Sequence, residues 1–138
     1  VPGAQVHPEG ARMIRPMINR DSAFFWEGTQ KQELRIQSCG ACGALRHPPG
    51  PACPKCGALD RSFIVASGNG TVFSFVIHRH PPVPGKELPI VIALVDLDEG
   101  VRMVGEVPGA EDLAIGDRVL VDWQVIDDEL TLPIWRRV

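Results

Sequence analysis

The 138-residue sequence has no apolar run longer than the six residues from Ile90 to Val95. A bilayer-spanning helix needs about 20 apolar residues, so a membrane span by helix is excluded and no membrane partner is expected. No basic, hydrophobic, cleavable leader opens the chain, and the expectation is a cytoplasmic protein. The sequence begins with Val1 rather than Met. That start is expected of a processed N-terminus or of one piece of a larger polypeptide.

Catalytic signatures are also missing. There is no G-x-S-x-G, no H-E-x-x-H and no phosphate-cradling glycine loop. Ser67-Gly68-Asn69-Gly70 is glycine-rich but precedes a strand pattern rather than a helix, and it reads as a turn. No catalytic residue is assigned, and the chain is not expected to be an enzyme on its own.

Lysine is scarce, three against eleven arginines, and charge divides unevenly. Residues 1–60 carry seven Lys and Arg against five Asp and Glu, whereas residues 61–138 carry seven against twelve. An acidic second half with one lysine repels a phosphate backbone, which weighs against nucleic acid as a partner. A single-stranded nucleic acid binder stays open as an alternative.

What is present is a metal pattern. Cys39 and Cys42 form one C-x-x-C pair, and Cys53 and Cys56 a second after ten intervening residues. Two residues between cysteines let the chain turn so that both sulfurs face one ion. Gly43 and Gly57 follow each pair, and a glycine there tolerates the positive φ that turns backbone N–H groups toward thiolates. His47-Pro48-Pro49-Gly50-Pro51 forms the turn that brings the pairs together, with His47 expected to be a solvated turn residue. Four thiolates close a tetrahedral sphere, so the site is structural rather than catalytic. Zinc is the expected ion, and iron suits the same four sulfurs. A disulfide framework goes with secretion, and a redox C-x-x-C goes with a βαβ pattern that is missing here.

The hydropathy pattern predicts a mostly β chain with an N-terminal helix. Residues 1–18, rich in Pro and Gly, read as a linker or arm, 19–35 as a helical segment, 36–60 as a zinc ribbon and 61–138 as a barrel domain. The helix is expected over about residues 21–32, with Gly28 weakening it and a short strand through Leu34 and Ile36 after it. Phe24, Phe25 and Trp26 cannot all face one side of a helix. Either one stays partly exposed or the spare aromatic docks a partner; Ile134 and Trp135 are further surplus apolar groups. Strands are expected over Thr71–His80, Ile90–Leu97, Val101–Val107, Arg118–Ile126 and Leu130–Trp135. Five strands with acidic or glycine turns, and a longer connection between the third and fourth, fit a five-stranded OB-fold barrel. Asp127-Asp128-Glu129 reads as a solvated hairpin turn. His78 and His80 share one face of a strand end; Arg79, His80 and Lys86 are either solvated charge or contacts for a ligand phosphate such as that of CoA.

Taken in order, these residues resemble a family. Phe25-Trp26-Glu27-Gly28, Leu34, Cys39-Gly40-Ala41-Cys42-Gly43, Pro48-Pro49 and Cys53-Pro54-Lys55-Cys56-Gly57 carry the first half of the likeness. Ser67-Gly68-Asn69-Gly70-Thr71-Val72, Asp98-Glu99-Gly100-Val101 and Ile115-Gly116-Asp117-Arg118-Val119 carry the second. The series resembles the acyl-CoA-associated zinc-ribbon/OB-fold proteins that accompany thiolase-superfamily enzymes, over about residues 20–136. The resemblance implies a rubredoxin-like zinc ribbon behind an N-terminal helix, followed by an OB fold, with Cys39, Cys42, Cys53 and Cys56 as zinc ligands. It implies an accessory subunit whose thiolase-like partner holds the catalytic residues, sometimes fused to a hot-dog-fold, MaoC-like enoyl-CoA hydratase. The Arg-over-Lys bias is common in high-GC actinobacteria, where such modules serve steroid side-chain degradation. The narrow expectation is a hetero-oligomer with an aldolase acting on a steroid-derived acyl-CoA, with Phe24, Phe25, Trp26 and Trp135 offered to the partner. An acyl-CoA binding or transfer module is the alternative.

Overall fold

The computed structural model describes residues 13–138, so residues 1–12 of the expected arm lie outside the described residues. Helix α1 spans Ala23–Gln30 and is followed by β1 (Leu34–Cys39), β2 (Leu45–Arg46) and β3 (Arg61–Ala66). Then come β4 (Asn69–His78), β5 (Ile90–Leu97), β6 (Arg102–Glu106), β7 (Arg118–Val125) and β8 (Thr131–Arg137).

The helix is shorter than expected at both ends, for local reasons. Asn19 Oδ1 accepts the N–H groups of Asp21 and Ser22 at 2.9 and 3.0 Å, which holds residues 19–22 in a turn ahead of the helix. At the other end Gln32 takes a left-handed φ of 57°, which ends the spiral. Gly28 has a packing reason to be glycine. A Cβ there would stand 2.6 Å from Arg35 Cδ, where β1 crosses the helix.

The strands form two antiparallel sheets. The ribbon sheet has the order β2-β1-β3, and β1 pairs with β3 from Leu34↔Ala66 to Cys39↔Arg61. The expected boundary at residue 60 therefore falls just ahead of a strand hydrogen-bonded into the ribbon sheet. The second sheet has the order β6-β5-β4-β7-β8 and curls into a nearly closed OB-type barrel. All five expected barrel strands are present, with ends shifted by a few residues, and the long connection between β6 and β7 is retained.

No ladder joins β6 to β8, the two edges of the sheet. Side chains close that seam. Trp135 is 1% exposed, and its indole stands where a Cβ on Gly105 would meet Nε1 at 2.6 Å. One core joins both sheets. Phe25, Leu34 and Ile36 from the ribbon side pack with Val72, Ala93, Val95, Met103, Val119, Trp123 and Trp135 of the barrel.

Candidate metal centre

The two cysteine pairs sit on matching turns. Cys39 N–H donates to Ala44 O and Gly43 N–H to Cys39 O, each at 2.9 Å. Cys53 N–H donates to Ala58 O and Gly57 N–H to Cys53 O, again at 2.9 Å. Gly43 and Gly57 both have φ +76°, as the spacing required.

These turns bring the four sulfurs together. Cys39 Sγ lies 3.6 Å from Cys56 Sγ, Cys42 Sγ lies 3.6 Å from Cys53 Sγ, and all four fall within 4.8 Å of one another. A tetrahedron with metal–sulfur bonds of about 2.3 Å has sulfur–sulfur edges of about 3.8 Å, so the tetrad fits one metal ion with no open position. Among the described residues it is the one group of His, Cys, Asp and Glu side chains close enough to hold a metal. His47 is not part of it.

Backbone dipoles prepare the thiolates. The N–H groups of Cys42 and Ala41 point at Cys39 Sγ, both at 3.4 Å, and pull its thiol below the ordinary value. The N–H groups of Cys56 and Lys55 lower Cys53 to about 6. Cys56 receives the Ala58 N–H, which lowers it, but its neighbours Cys39, Cys42 and Cys53 and desolvation push it up to about 12. Without a cation the last proton stays on the cluster, because four adjacent thiolates repel. A bound metal removes that penalty.

The turn between the pairs is fixed by a residue that the sequence pattern did not single out. Gln37, buried on β1, accepts Gly50 N–H at 2.9 Å and Arg46 Nε–H at 3.0 Å, and donates its amide to Gly50 O at 2.9 Å. Arg46 reaches Gly50 O as well. The alternation Leu34-Arg35-Ile36-Gln37 gave no signal of it, because Gln37 falls on a polar position and is buried all the same.

His47 is not the solvated turn residue the sequence suggested. Its ring lies 5.4 Å from that of Phe25, Nδ1 is buried without a partner, and burial lowers its pKa to about 4. It lines a cleft of about 430 Å³ between α1, the His47–Pro49 turn and the β6/β8 seam. Phe25 and Trp26 contribute from the helix, Met103 and Glu106 from β6, and Leu132 and Ile134 from β8.

The other expected site residues separate. Phe25 is buried and Trp26 packs edge-on against it at 5.0 Å; Phe24 stacks on Phe63 at 5.7 Å. Phe24 and Trp26 keep partial exposure on two sides of the helix, whereas Trp135 lies in the core and presents no surface. Of the three residues expected at a phosphate, only Lys86 lines the cleft, where it pairs with Glu106 at 3.0 Å. Arg79 pairs with Glu111 at 3.4 Å, and His80 is exposed beyond the end of β4.

Comparisons with known proteins follow the same division. Residues 26–60 match the family model described as "ChsH2, rubredoxin-like zinc ribbon domain", and residues 64–124 match "ChsH2, C-terminal OB-fold domain". The chain is 49% identical over 123 residues to the 3-oxo-4,17-pregnadiene-20-carboxyl-CoA hydratase alpha subunit of Mycobacterium tuberculosis, covering 89% of this chain and 38% of that one. It is 36% identical over 85 residues to a DUF35 domain-containing scaffold protein of Methanocaldococcus jannaschii, covering 59% of this chain and 60% of that protein. A solved chain described as "Ltp2-ChsH2(DUF35) aldolase" superposes with a TM-score of 0.84 at 50% identity, covering 89% of this chain and 98% of that chain. The chain spans about two fifths of the length of the curated hydratase subunits it matches.

Proposed function

Since the chain belongs to the ChsH2 family of zinc-ribbon and OB-fold domains, we propose that it is a non-catalytic accessory module that binds and enables a thiolase-superfamily enzyme. The reaction assigned to that pair is aldol cleavage of a steroid-derived acyl-CoA during side-chain degradation, in the cytoplasm. The observation that carries this reading is the likeness, over nearly its whole length, to the ChsH2 chain of an aldolase structure. Two features of this chain support it. Its metal tetrad has no vacant position for chemistry, and the half-exposed Phe24 and Trp26 offer apolar contact beside a cleft. Zinc is the assigned ion, on the likeness of residues 26–60 to a rubredoxin-like zinc ribbon.

Mixing the module with a thiolase-fold enzyme from the same host, followed by size-exclusion chromatography and a cleavage assay, tests this. A stable complex with activity that depends on the module is expected. An enzyme that is fully active and monodisperse alone would overturn it.

The cleft favours one second reading, a module that holds an acyl-CoA for its partner, because it is apolar and Lys86 sits on its wall. Calorimetry with CoA thioesters separates the two: heat from the isolated module supports holding, and its absence leaves the scaffold role alone.

A further inference from the structure

The ligand face of an OB barrel is framed by the loop between its first and second strands and the loop between its fourth and fifth. In this chain those loops are residues 79–89 and 126–130. Residues 13–18 touch both. At the first loop, a Cβ on Gly85 would stand 2.9 Å from Met13 Cα, and Gly85 has φ +73°. That position is glycine where the incoming segment lies directly on the loop backbone. At the second loop, Arg15 donates to both carboxylate oxygens of Asp127, at 2.7 and 3.2 Å. Two residues on, Met17 forms part of the cleft wall, together with Lys86 from the first loop.

Burial does not hold this segment down. Ile14 is 77% exposed and Met17 84%. Among the described residues, its attachments to the two loops are the Gly85 contact and the Arg15–Asp127 ion pair, whose side chains are 39% and 46% exposed. An exposed pair of this kind is weak enough to open and close under ordinary conditions.

We propose that residues 13–18 are a latched strap across the ligand face of the barrel, that Arg15–Asp127 is the latch, and that its release opens the cleft to an apolar guest. Asp127 is suited to the role because Oδ1 also accepts the N–H groups of Glu129 and Leu130, at 2.8 and 3.0 Å, which fixes the carboxylate before Arg15 arrives. The strap works whichever partner the module serves, so its test is independent of the proposed aldolase.

The experiment uses the full metal-loaded chain and the uncharged fluorophore Nile red. Arg15→Ala is expected to tighten dye binding about three- to fivefold, the range over which an exposed ion pair can bias a two-state segment. Arg15→Lys, which keeps the charge, should stay closer to wild type. Gly85→Ala, which pushes on the other end of the strap, should act in the same direction as Arg15→Ala; if it does not fold, Arg15→Ala decides alone. The gap between wild type and Arg15→Ala should close in about 1 M salt, where the latch is screened. Unchanged or weaker dye binding by Arg15→Ala, a Lys variant as loose as the Ala variant, a gap that persists in high salt, or no dye binding by any form would each overturn the proposal.

Discussion

The ribbon and the barrel are stabilised by different physics, although they share a core. The barrel contributes most of the buried apolar side chains, among them Val72, Ala93, Val95, Leu97, Met103, Val119, Trp123 and Trp135. From the ribbon sheet, Leu34, Ile36 and Ala66 reach that core. The segment from Gly40 to Asp60 contains no helix and one two-residue strand, and its buried apolar residue is the ligand Cys53 itself. A segment with so little to bury cannot offset its own chain entropy, and a metal ion must supply the difference. A barrel with a filled interior needs no ion. The metal therefore organises one end of the molecule without reaching the other.

The largest expected break in this comparison is loss of a ligand. Structural zinc sites contribute about 10 kcal/mol or more of apparent free energy in small domains, so Cys53→Ser should abolish stoichiometric metal and melt the knuckles. In a Trp26→Phe background, where fluorescence reports Trp123 and Trp135 of the barrel, the unfolding transition should persist. Metal affinity itself should rise with pH. Cys56 holds its proton up to about 12 in the metal-free cluster, so binding near neutrality displaces protons, and acid competes. Competition against a chromophoric chelator across pH measures that slope.

The converse break comes from the barrel. Trp135→Ala empties the seam between β6 and β8 and should cost about 3–5 kcal/mol by denaturant unfolding, with metal stoichiometry unchanged. At the same seam Gly105→Ala puts a methyl against a rigid indole, and overpacking of that kind costs about 1–3 kcal/mol.

The smallest expected effect lies at the junction. The unfolded chain protonates His47 near 6.5, whereas burial delays protonation to about 4 in the folded state. Acid therefore favours unfolding: stability is unaffected by this group above about pH 6.5 and declines as pH falls toward 4. His47→Gln should flatten that decline by on the order of 1–2 kcal/mol between the two values, since the cleft admits some water. Equal pH slopes for wild type and variant would show that the junction is wetter than its geometry implies.

How much of this was legible beforehand follows the range of the interactions. The tetrad was fully legible, because C-x-x-C with a following glycine is a local geometric requirement, and the same holds for the Asp98–Gly100 turn, where Gly100 has φ +100°. The barrel strands were legible from alternation, but their ends were not, because pairing with a distant strand sets them: β4 starts at Asn69, paired with Leu120, within a stretch that read as a turn. Trp135 read as a surplus aromatic near the chain end and proved to be the plug of the β6/β8 seam, a role set by Gly105, thirty positions earlier. His47 read as a turn residue because its proline neighbours are turn formers; its burial comes from Phe25, more than twenty residues away. The cleft draws its walls from the segment before the helix, the helix, the ribbon turn and three parts of the barrel, so no window of sequence contains it.

The most direct test of the account is hydrogen exchange on the metal-loaded chain, before and after removal of the ion by a chelator. Amides of residues 39–60 should lose their protection while those of β4, β5 and β7 keep theirs. Simultaneous loss across the barrel strands, or knuckle amides that stay protected without metal, would contradict it.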